Sequence, residues 1–441
     1  MTTKHTFQIT LLLIGSLVAA LAFQWFTGAG DFVRGFAAAF ILFAICAAAL
    51  YFAWHLAGKR KPLGWMMFAA FAFRMVLALF LAWGLPKFGY PEPPQEAGFV
   101  FKDAYLRETS AWQLANADEP LTAAFSDAYG ADQYGGLLAM SALVYRTISP
   151  DAFRPGLIAI LSAGAMALSL PFLTAILGKN FGKKAALWGG WLFALYPEGV
   201  LLGASQMREP FMILFFTIMS WSVLRWLKNK GSIPGIGLFL ISTLCLFLFS
   251  YRVALPLTAI LLAWVWVMES GKVKQTWLKI LVYLAPVVII TGAVLFYGDW
   301  VREVISWDTK LTMIASGVIQ YELESIPSWL HFPFILIYGL FQPVLPATIA
   351  APAPWIWRGL NIFRSLGWYA ALPILAYAFI RVWRLPASRK KRWLIGMILF
   401  VWAWILLASA RAGGDQWDNP RYRTILLPWM AIIAGWVAAD V

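Results

Sequence analysis

Charged residues are scarce in this chain: they make up 13% of its 441 residues, whereas 61% are hydrophobic. A soluble globular domain has roughly 25% charged residues. Aromatic side chains are abundant, with 33 Phe and 25 Trp, and the mean hydropathy is +0.72. A composition with so little charge excludes an ordinary soluble domain and indicates a protein embedded in lipid.

Cysteine and histidine are also rare. The two cysteines, Cys46 and Cys245, both lie inside apolar runs, where a thiol usually serves as a packing residue and not in a disulfide. The three histidines, His5, His55 and His331, are far apart and form no ligand motif. A redox pair and a histidine-based metal site are therefore both disfavoured.

Short segments of alternating apolar and polar residues are absent as well, which excludes an outer-membrane barrel. The apolar runs are instead continuous and about 20 residues long, enough for a helix to cross a bilayer. A spanning segment must satisfy its backbone polar groups internally. The sequence therefore predicts an all-α polytopic membrane protein, a bundle of transmembrane helices.

Basic clusters between the apolar runs predict the topology, because loops rich in Lys and Arg stay in the cytoplasm. The first run follows "MTTKH" and resembles a signal sequence, but a second run comes almost at once, so we interpret it as an uncleaved span. The pattern predicts about 12 crossings of the plasma or inner membrane, with both termini cytoplasmic. The predicted spans cover about residues 8–26, 33–56, 64–85, 154–177, 185–203, 210–227, 234–250, 254–269, 278–297, 365–382, 393–410 and 423–438.

One apolar segment, 331–347, does not fit this alternation. A crossing there would place the basic "RKKR" of the following loop outside the cell. The segment also contains Pro333, Pro343 and Pro346. Because proline interrupts helices, we expect a re-entrant or surface helix.

The net charge of +14 has its explanation in this topology. Of the 21 Asp and Glu, only Glu269 and Asp440 fall on the predicted cytoplasmic side, while the cytoplasmic loops hold most of the Lys and Arg. The excess of positive charge is thus a topology signal, and no nucleic-acid partner is expected. No internal repeat is evident, which weakens an inverted-repeat transporter interpretation.

The longest predicted outside loop, of about 65 residues, is a candidate functional segment because loops of this length are usually functional. Its amphipathic pieces, at about 103–116 and 134–148, could lie on the membrane surface. Asp103 opens the first piece with Tyr105 nearby, and a carboxylate there could accept a hydroxyl proton or help to bind a divalent cation. The alternative is a solvated linker. The acids of the loop are Glu92, Glu96, Asp103, Glu108, Asp118, Glu119, Asp127 and Asp132.

Other charged residues recur at the outer ends of predicted spans. In "SQMREPF", Glu209 suits the first turn of a helix that Pro210 begins, but Arg208 opposes the helix dipole and so needs an acid or a bound phosphate. Arg252 lies at another outer helix end. Arg74 falls in the middle of the third span, where an unpaired charge is costly, which makes it a candidate for function or for a buried pair.

The C-terminal motif "DNPRYRTILLPW" places Arg421, Tyr422 and Arg423 at the outer start of the last span. Helix N-termini bind anions, and arginine binds phosphate oxygens in bidentate fashion, so this motif could bind phosphate. In the alternative, the arginines pair with Asp415 and Asp418 and only anchor the span.

Four motifs occur in an order that resembles the GT-C superfamily of membrane glycosyltransferases, which includes protein O-mannosyltransferases and aminoarabinose transferases. They are "FKDAYLRETSAWQLA", "QYGGLLAMSALVYR", "LYPEGVLLGASQMREPFMILFF" and "NPRYRTILLPWMAIIAG", and the resemblance runs from about Arg74 to the C-terminus. The resemblance rests on the order of these motifs and on their shared predicted position at the outer side of the membrane. The resemblance divides the chain into two added N-terminal helices (1–62) and a core (63–441), with a catalytic outside loop (86–152) and a second outside loop (298–330).

The resemblance implies an enzyme that uses a polyprenyl-phosphate sugar donor on the outer face of the membrane. The family's catalytic acid in the first large outside loop corresponds to Asp103, and its outward Arg/Glu pair corresponds to Arg208 and Glu209. Many members carry two adjacent acids in the loop motif, whereas Lys102 and Ala104 flank Asp103 here. Because the second acid is lacking, a role for a divalent cation is left open. A second carboxylate could come from Glu96, Glu108 or Asp132.

These observations lead to one principal hypothesis: a hexosyl or pentosyl transfer in which Asp103 deprotonates a glycan, lipid or protein acceptor and the anomeric centre is inverted. The alternatives are a lipid-linked-sugar flippase and a non-catalytic subunit of a cell-envelope assembly. The catalytic candidates are Asp103, Glu108 and Glu209. The substrate-binding candidates are Arg74, Tyr105, Asp132, Arg208, Arg252, Arg421, Tyr422 and Arg423.

Overall fold

A computed structural model describes residues 3–132, 134–229, 233–270, 321, 323–350, 352–413 and 415–440 of the chain, and not the side chains of 3–9, 131, 132 and 270. Helix makes up 82% of the structure, and these residues contain no strand. The all-α prediction is thus confirmed. The helices are α1 (Thr3–Thr27), α2 (Phe32–Leu56), α3 (Lys61–Phe88), α4 (Lys102–Asn116), α5 (Gly136–Ile148), α6 (Gly156–Asn180), α7 (Lys183–Leu195), α8 (Pro197–Gly203), α9 (Glu209–Lys228), α10 (Ile233–Ser270), α11 (Ser328–Leu340), α12 (Leu345–Ala350), α13 (Trp355–Trp383), α14 (Arg389–Ala412), α15 (Asp418–Thr424) and α16 (Leu427–Ala439).

Eight of the described helices are long and apolar enough to cross a membrane, and the count rises to ten if each of two bent pairs is one span. The pairs are α7 with α8, bent by 54°, and α15 with α16, bent by 68°. The predicted span 278–297 and most of the predicted outside loop 298–330 lie outside the described residues. Several long apolar helices indicate a membrane-embedded protein, while the predicted total of about 12 crossings is not confirmed.

The predicted pair of spans at 234–250 and 254–269 is a single helical element in the structure. α10 has 38 residues and is interrupted at Ser250, whose backbone angles of φ −169° and ψ 97° are not helical. A continuous helix of that length would measure about 57 Å, well beyond the hydrocarbon thickness of a bilayer. The break divides α10 where the sequence predicted a loop between two helices.

The chain forms two compact units, one made of Met1–Leu257, Pro352–Leu360 and Ala434–Val441, the other of Thr258–Ala351 and Asn361–Ile433. In the first unit α6 is the central helix, packed against α2, α3, α7 and α9. In the apolar stretch of α6, 78% of the residues are buried, whereas the figure for α3 is 33%. α6 is apolar on every face and rich in small residues, which allows neighbours to pack closely on all sides.

The bend between α7 and α8 explains the charge inside the third span. Pro197 has no backbone N–H and starts α8, which leaves carbonyls at the end of α7 without helical partners. Arg74, fully buried in α3, donates to the carbonyls of Ala194 at 2.9 Å and Gly199 at 3.2 Å, and to that of Ala70 in its own helix. Arg74, predicted as a substrate-binding or paired residue, thus binds backbone carbonyls at a helix end. A buried cation suits that negative end of the helix dipole.

Replacing Arg74 with lysine should lower the stability of the protein by about 1–3 kcal/mol, because a single ammonium cannot reach all three carbonyls and a buried acceptor is left unsatisfied. Thermal unfolding in detergent should show a melting temperature several degrees lower. The reverse conservative exchange at an exposed site, Lys184→Arg, is the control and should leave the melting temperature unchanged. An equal effect of both exchanges would contradict this role for Arg74.

In the second unit, α11 and α14 cross at close range. A Cβ on Gly339 would stand only 2.8 Å from the Cα of Gly413, so this contact requires the absence of a side chain. The predicted re-entrant segment, 331–347, is divided between α11 and α12 in the structure. That the segment is a re-entrant or surface helix remains a prediction.

Candidate functional site

The predicted outside loop contains a pair of packed helices, α4 and α5, close to the two predicted amphipathic pieces. Arg146 of α5 joins them by donating to carbonyls at the C-terminal end of α4, including those of Leu114 at 2.6 Å and Ala115 at 3.3 Å. A cation at a helix C-terminus is favourable, because it complements the dipole and satisfies carbonyls without helical partners. The long loop is therefore an ordered small subdomain and not a solvated linker.

Glu108 is the buried centre of this helix pair, with no exposed surface. One carboxylate oxygen accepts a hydrogen bond from Ser141 at 3.0 Å, and the other accepts from the Tyr145 hydroxyl at 2.6 Å. The Nε of Arg107 lies 3.7 Å from the first of these oxygens. Burial, and then the Glu108 carboxylate, raise the pKa of Tyr145 well above its usual range, so the hydroxyl stays protonated and donates. This environment favours a structural role for Glu108 over the predicted catalytic one.

Asp103 lies on the exposed surface at the start of α4. Tyr105, two residues later, packs edge-on against Phe99 with ring centroids 5.5 Å apart, which holds the start of the helix against the preceding loop. Arg107 is one turn after Asp103 and shares its helix face. Asp103 is thus accessible to a substrate, as a general base has to be.

Arg107 connects α4 to the segment between α8 and α9. Its guanidinium is buried and donates to the backbone carbonyl of Gln206, which lies two residues before Arg208. Within the first compact unit, this contact brings the helix turn after Asp103 to the segment that carries the predicted Arg/Glu pair. Arg107 was not among the predicted site residues, because "YLRET" resembles an exposed amphipathic helix.

Two of the predicted arginines meet on a pair of tyrosines. The Arg208 guanidinium lies over the ring of Tyr134 at 4.5 Å, and the Tyr134 and Tyr251 rings are in edge contact at 5.2 Å. Arg252 lies 6.0 Å from the centroid of Tyr251 and interacts electrostatically with both hydroxyls. Glu209, next to Arg208, is buried. The structure thus places Arg208 and Arg252 on two touching tyrosines, although 43 residues lie between the arginines in the sequence. Tyr134 and Tyr251 are further candidate site residues that the sequence pattern did not predict.

A cavity of about 340 Å³ lies beside this segment in the first unit. Its lining includes Phe99, Ser205 and Gln206, and Arg154 closes one side. The Arg154 guanidinium is already bound to the carbonyls of Ala29 and Asp31, to Ser149, and to Asp151 at 2.7 Å. Arg154 holds the pKa of Asp151 at about 2, so this ion pair persists at neutral pH. The cavity is within the size range of small-molecule sites, and Arg154 maintains its wall.

The C-terminal arginine motif belongs to the second compact unit and is buried. The Arg423 guanidinium stacks on the Trp368 ring at 3.7 Å, and Arg421 pairs with Asp418 at 3.2 Å. The Tyr422 hydroxyl donates to the same Asp418 carboxylate. The pair with Asp418 is one of the two that the anchoring alternative names, while the Asp415 carboxylate accepts from the backbone N–H groups of Trp417 and Asp418. Phosphate binding by Arg421, Tyr422 and Arg423 remains a prediction.

The predicted divalent cation lacks a recognisable site among the described residues, where no group of three or more His, Cys, Asp or Glu side chains is placed to hold a metal ion. A hard cation prefers six or more oxygen ligands, whereas the exposed Asp103 offers one carboxylate. The side chain of Asp132, predicted to bind substrate or to supply a second carboxylate, is outside the described residues. No protein-family model matches the chain, and no match was found among curated proteins or solved structures.

Proposed function

We propose that this chain is an integral-membrane glycosyltransferase of the GT-C type, with many spans in the plasma or inner membrane and both termini in the cytoplasm. It transfers a hexosyl or pentosyl group from a polyprenyl-phosphate donor to a glycan, lipid or protein acceptor on the extracytoplasmic face. The observation that carries the proposal is the contact of Arg107 with Gln206. Through this contact, an exposed carboxylate and two clustered arginines belong to one ordered part of the first unit.

The proposed reaction needs only these side chains and the two substrates. Asp103 takes the proton of an acceptor hydroxyl, and the hydroxyl oxygen forms a bond to the anomeric carbon of the donor sugar. The bond between that carbon and the phosphate oxygen breaks, and its electron pair leaves with the polyprenyl phosphate. Arg208 and Arg252 stabilise the charge on the departing phosphate. Attack opposite the leaving group inverts the anomeric centre.

A flippase is the weaker alternative, because it needs charged groups along a path across the membrane. Arg74, the mid-membrane charge that the sequence offered for such a path, binds the carbonyls of Ala194 and Gly199. Its charge stabilises a helix end. This observation supports the transferase.

The transferase proposal predicts that purified protein carries a polyprenyl-phosphate sugar, detectable by mass spectrometry of co-purified lipids, and consumes it when an acceptor is added. Arg208→Gln and Arg252→Gln should each lower kcat/KM for the donor by about 10–100-fold, because a charge-assisted contact with phosphate contributes about 1.5–3 kcal/mol. Arg384→Gln, which removes an exposed arginine, is the control and should transfer sugar at the normal rate. A protein that moves the lipid between leaflets without releasing sugar would refute the transferase.

A further inference from the structure

A dense cluster of basic residues lies at one end of the first unit, at the opposite end of α3 from the Asp103 loop. Three segments, 58–61, 178–184 and 225–228, contain eight Lys and Arg and no Asp or Glu. They connect α2 with α3, end α6 and end α9. Since α3 has 28 residues, about 42 Å of helix separates this cluster from the loop that carries Asp103.

Side chains from all three segments converge. The Nη1 of Arg60 lies 3.8 Å from the position that a Cβ on Gly178 would occupy, at the end of α6 and one residue before Lys179. Lys179 in turn interacts with the like charges of Lys228 and Arg225 at the end of α9. Positive charges held this close repel one another, and an anion bound between them would remove the repulsion. The positive-inside rule accounts for basic residues in each cytoplasmic loop. It does not require the basic residues of three loops to lie close together.

An apolar groove begins next to this basic cluster. It has a volume of about 680 Å³ and lies between α1, α2 and α3. Trp54 and Gly64 line it at the basic end, and the Trp54 indole donates to the carbonyl of Arg60 at 3.0 Å. The groove is otherwise lined almost entirely by aliphatic and aromatic side chains, and the hydroxyl of Ser16 is satisfied by the carbonyl of Leu12. Such an apolar surface between candidate spans suits a hydrocarbon chain.

We propose that the groove and the basic cluster together form a site for one anionic phospholipid, separate from the proposed catalytic site. The acyl chain lies in the groove between α1, α2 and α3. The phosphate lies between Arg60, Lys179 and Lys228. The charge of the cluster and its continuity with the groove select this occupant, since basic pockets between transmembrane helices bind anionic head groups. The two N-terminal helices thus supply two walls of a lipid site.

The site predicts a preference that can be measured with full-length protein in a neutral detergent, using phosphatidylglycerol and phosphatidylcholine with identical chains. Phosphatidylglycerol should bind at least tenfold more tightly. The double variant Lys179→Gln, Lys228→Gln should weaken its binding by about 10–30-fold, because each basic residue near an anionic head group contributes about a fivefold gain in affinity. The control, Lys87→Gln with Lys102→Gln, removes the same charge from exposed positions at the end of α3 and the start of α4 and should bind normally.

The role of the groove is tested separately with Ala72→Phe, which places a ring in it. This variant should weaken binding of phosphatidylglycerol with long chains but leave binding of the dihexanoyl form unchanged, and a normal melting temperature would confirm that it folds. Equal affinities for the two head groups, or equal effects of the two lysine pairs, would overturn the proposal. Tighter binding of a polyprenyl phosphate than of phosphatidylglycerol would also overturn it. None of these outcomes depends on sugar transfer, so the proposed enzyme is tested independently.

Discussion

Asp103→Asn is expected to lower the rate of sugar transfer by about 10²–10⁴-fold, which is the usual effect of removing a general base. The exchange preserves the size of the side chain and removes only its ability to take a proton. Because Asp103 is exposed at the start of α4, the melting temperature should stay within a degree or two of the parent protein. The measurement is single-turnover transfer in reconstituted membranes, with donor binding followed in parallel.

The matched control is Asp118→Asn, which removes an exposed carboxylate from the same loop. It should transfer sugar at the normal rate and bind the donor normally. If Asp103→Asn also turned over normally, Asp103 would not be the base. Reduced donor binding with an unchanged rate of the bound complex would instead assign Asp103 to substrate positioning.

Glu108→Ala should destabilise the protein by about 3–5 kcal/mol, the loss typical of breaking a buried charged network. The exchange leaves the hydroxyls of Ser141 and Tyr145 without their acceptor and removes the carboxylate beside the buried guanidinium of Arg107. Since Arg107 also contacts the α8–α9 segment, the loss should reach beyond the loop. Thermal unfolding in detergent should show it as a decrease of about 10 °C or more.

Glu96→Ala is the control for this effect, because it removes an exposed acid from the same loop, and it should leave the melting temperature unchanged. Glu108→Gln separates structure from catalysis, since glutamine keeps an acceptor in place while losing the charge. A structural role predicts partial recovery of stability with transfer still measurable. Normal stability combined with loss of transfer would return Glu108 to the catalytic candidates.

The contrast between Asp103 and Glu108 shows how far sequence reasoning reaches at the candidate site. Both acids occur in the predicted amphipathic helix, whose observed range, Lys102–Asn116, differs by one residue from the prediction. Five residues at 100° per residue place them about 140° apart around the helix. The sequence thus predicts that they face different directions. It does not predict which face packs against α5, and that contact makes Glu108 buried and Asp103 exposed.

Contacts between residues that are far apart in the chain could not be predicted, for a related reason. Arg107 was missed, and Arg208 and Arg252 were expected separately at two helix ends. Nothing local links Arg107 with Gln206, or Tyr134 with Tyr251, because each pair joins elements that are distant in the chain. Arg74 was identified as unusual because a charge within a span is costly. Its partners are backbone carbonyls, which the sequence does not distinguish from any others.

The membrane-protein class and most of the helix positions follow from the order of the amino acids alone. Long apolar runs can satisfy their backbone only as helices in lipid, and this constraint acts locally. The tertiary structure decided where charge is buried and where it is exposed: Arg74 at the end of α7, Glu108 between α4 and α5, and Arg208 with Arg252 on two tyrosines. Each of these depends on which helices become neighbours. Packing of the whole chain sets that choice, and no short segment of sequence contains it.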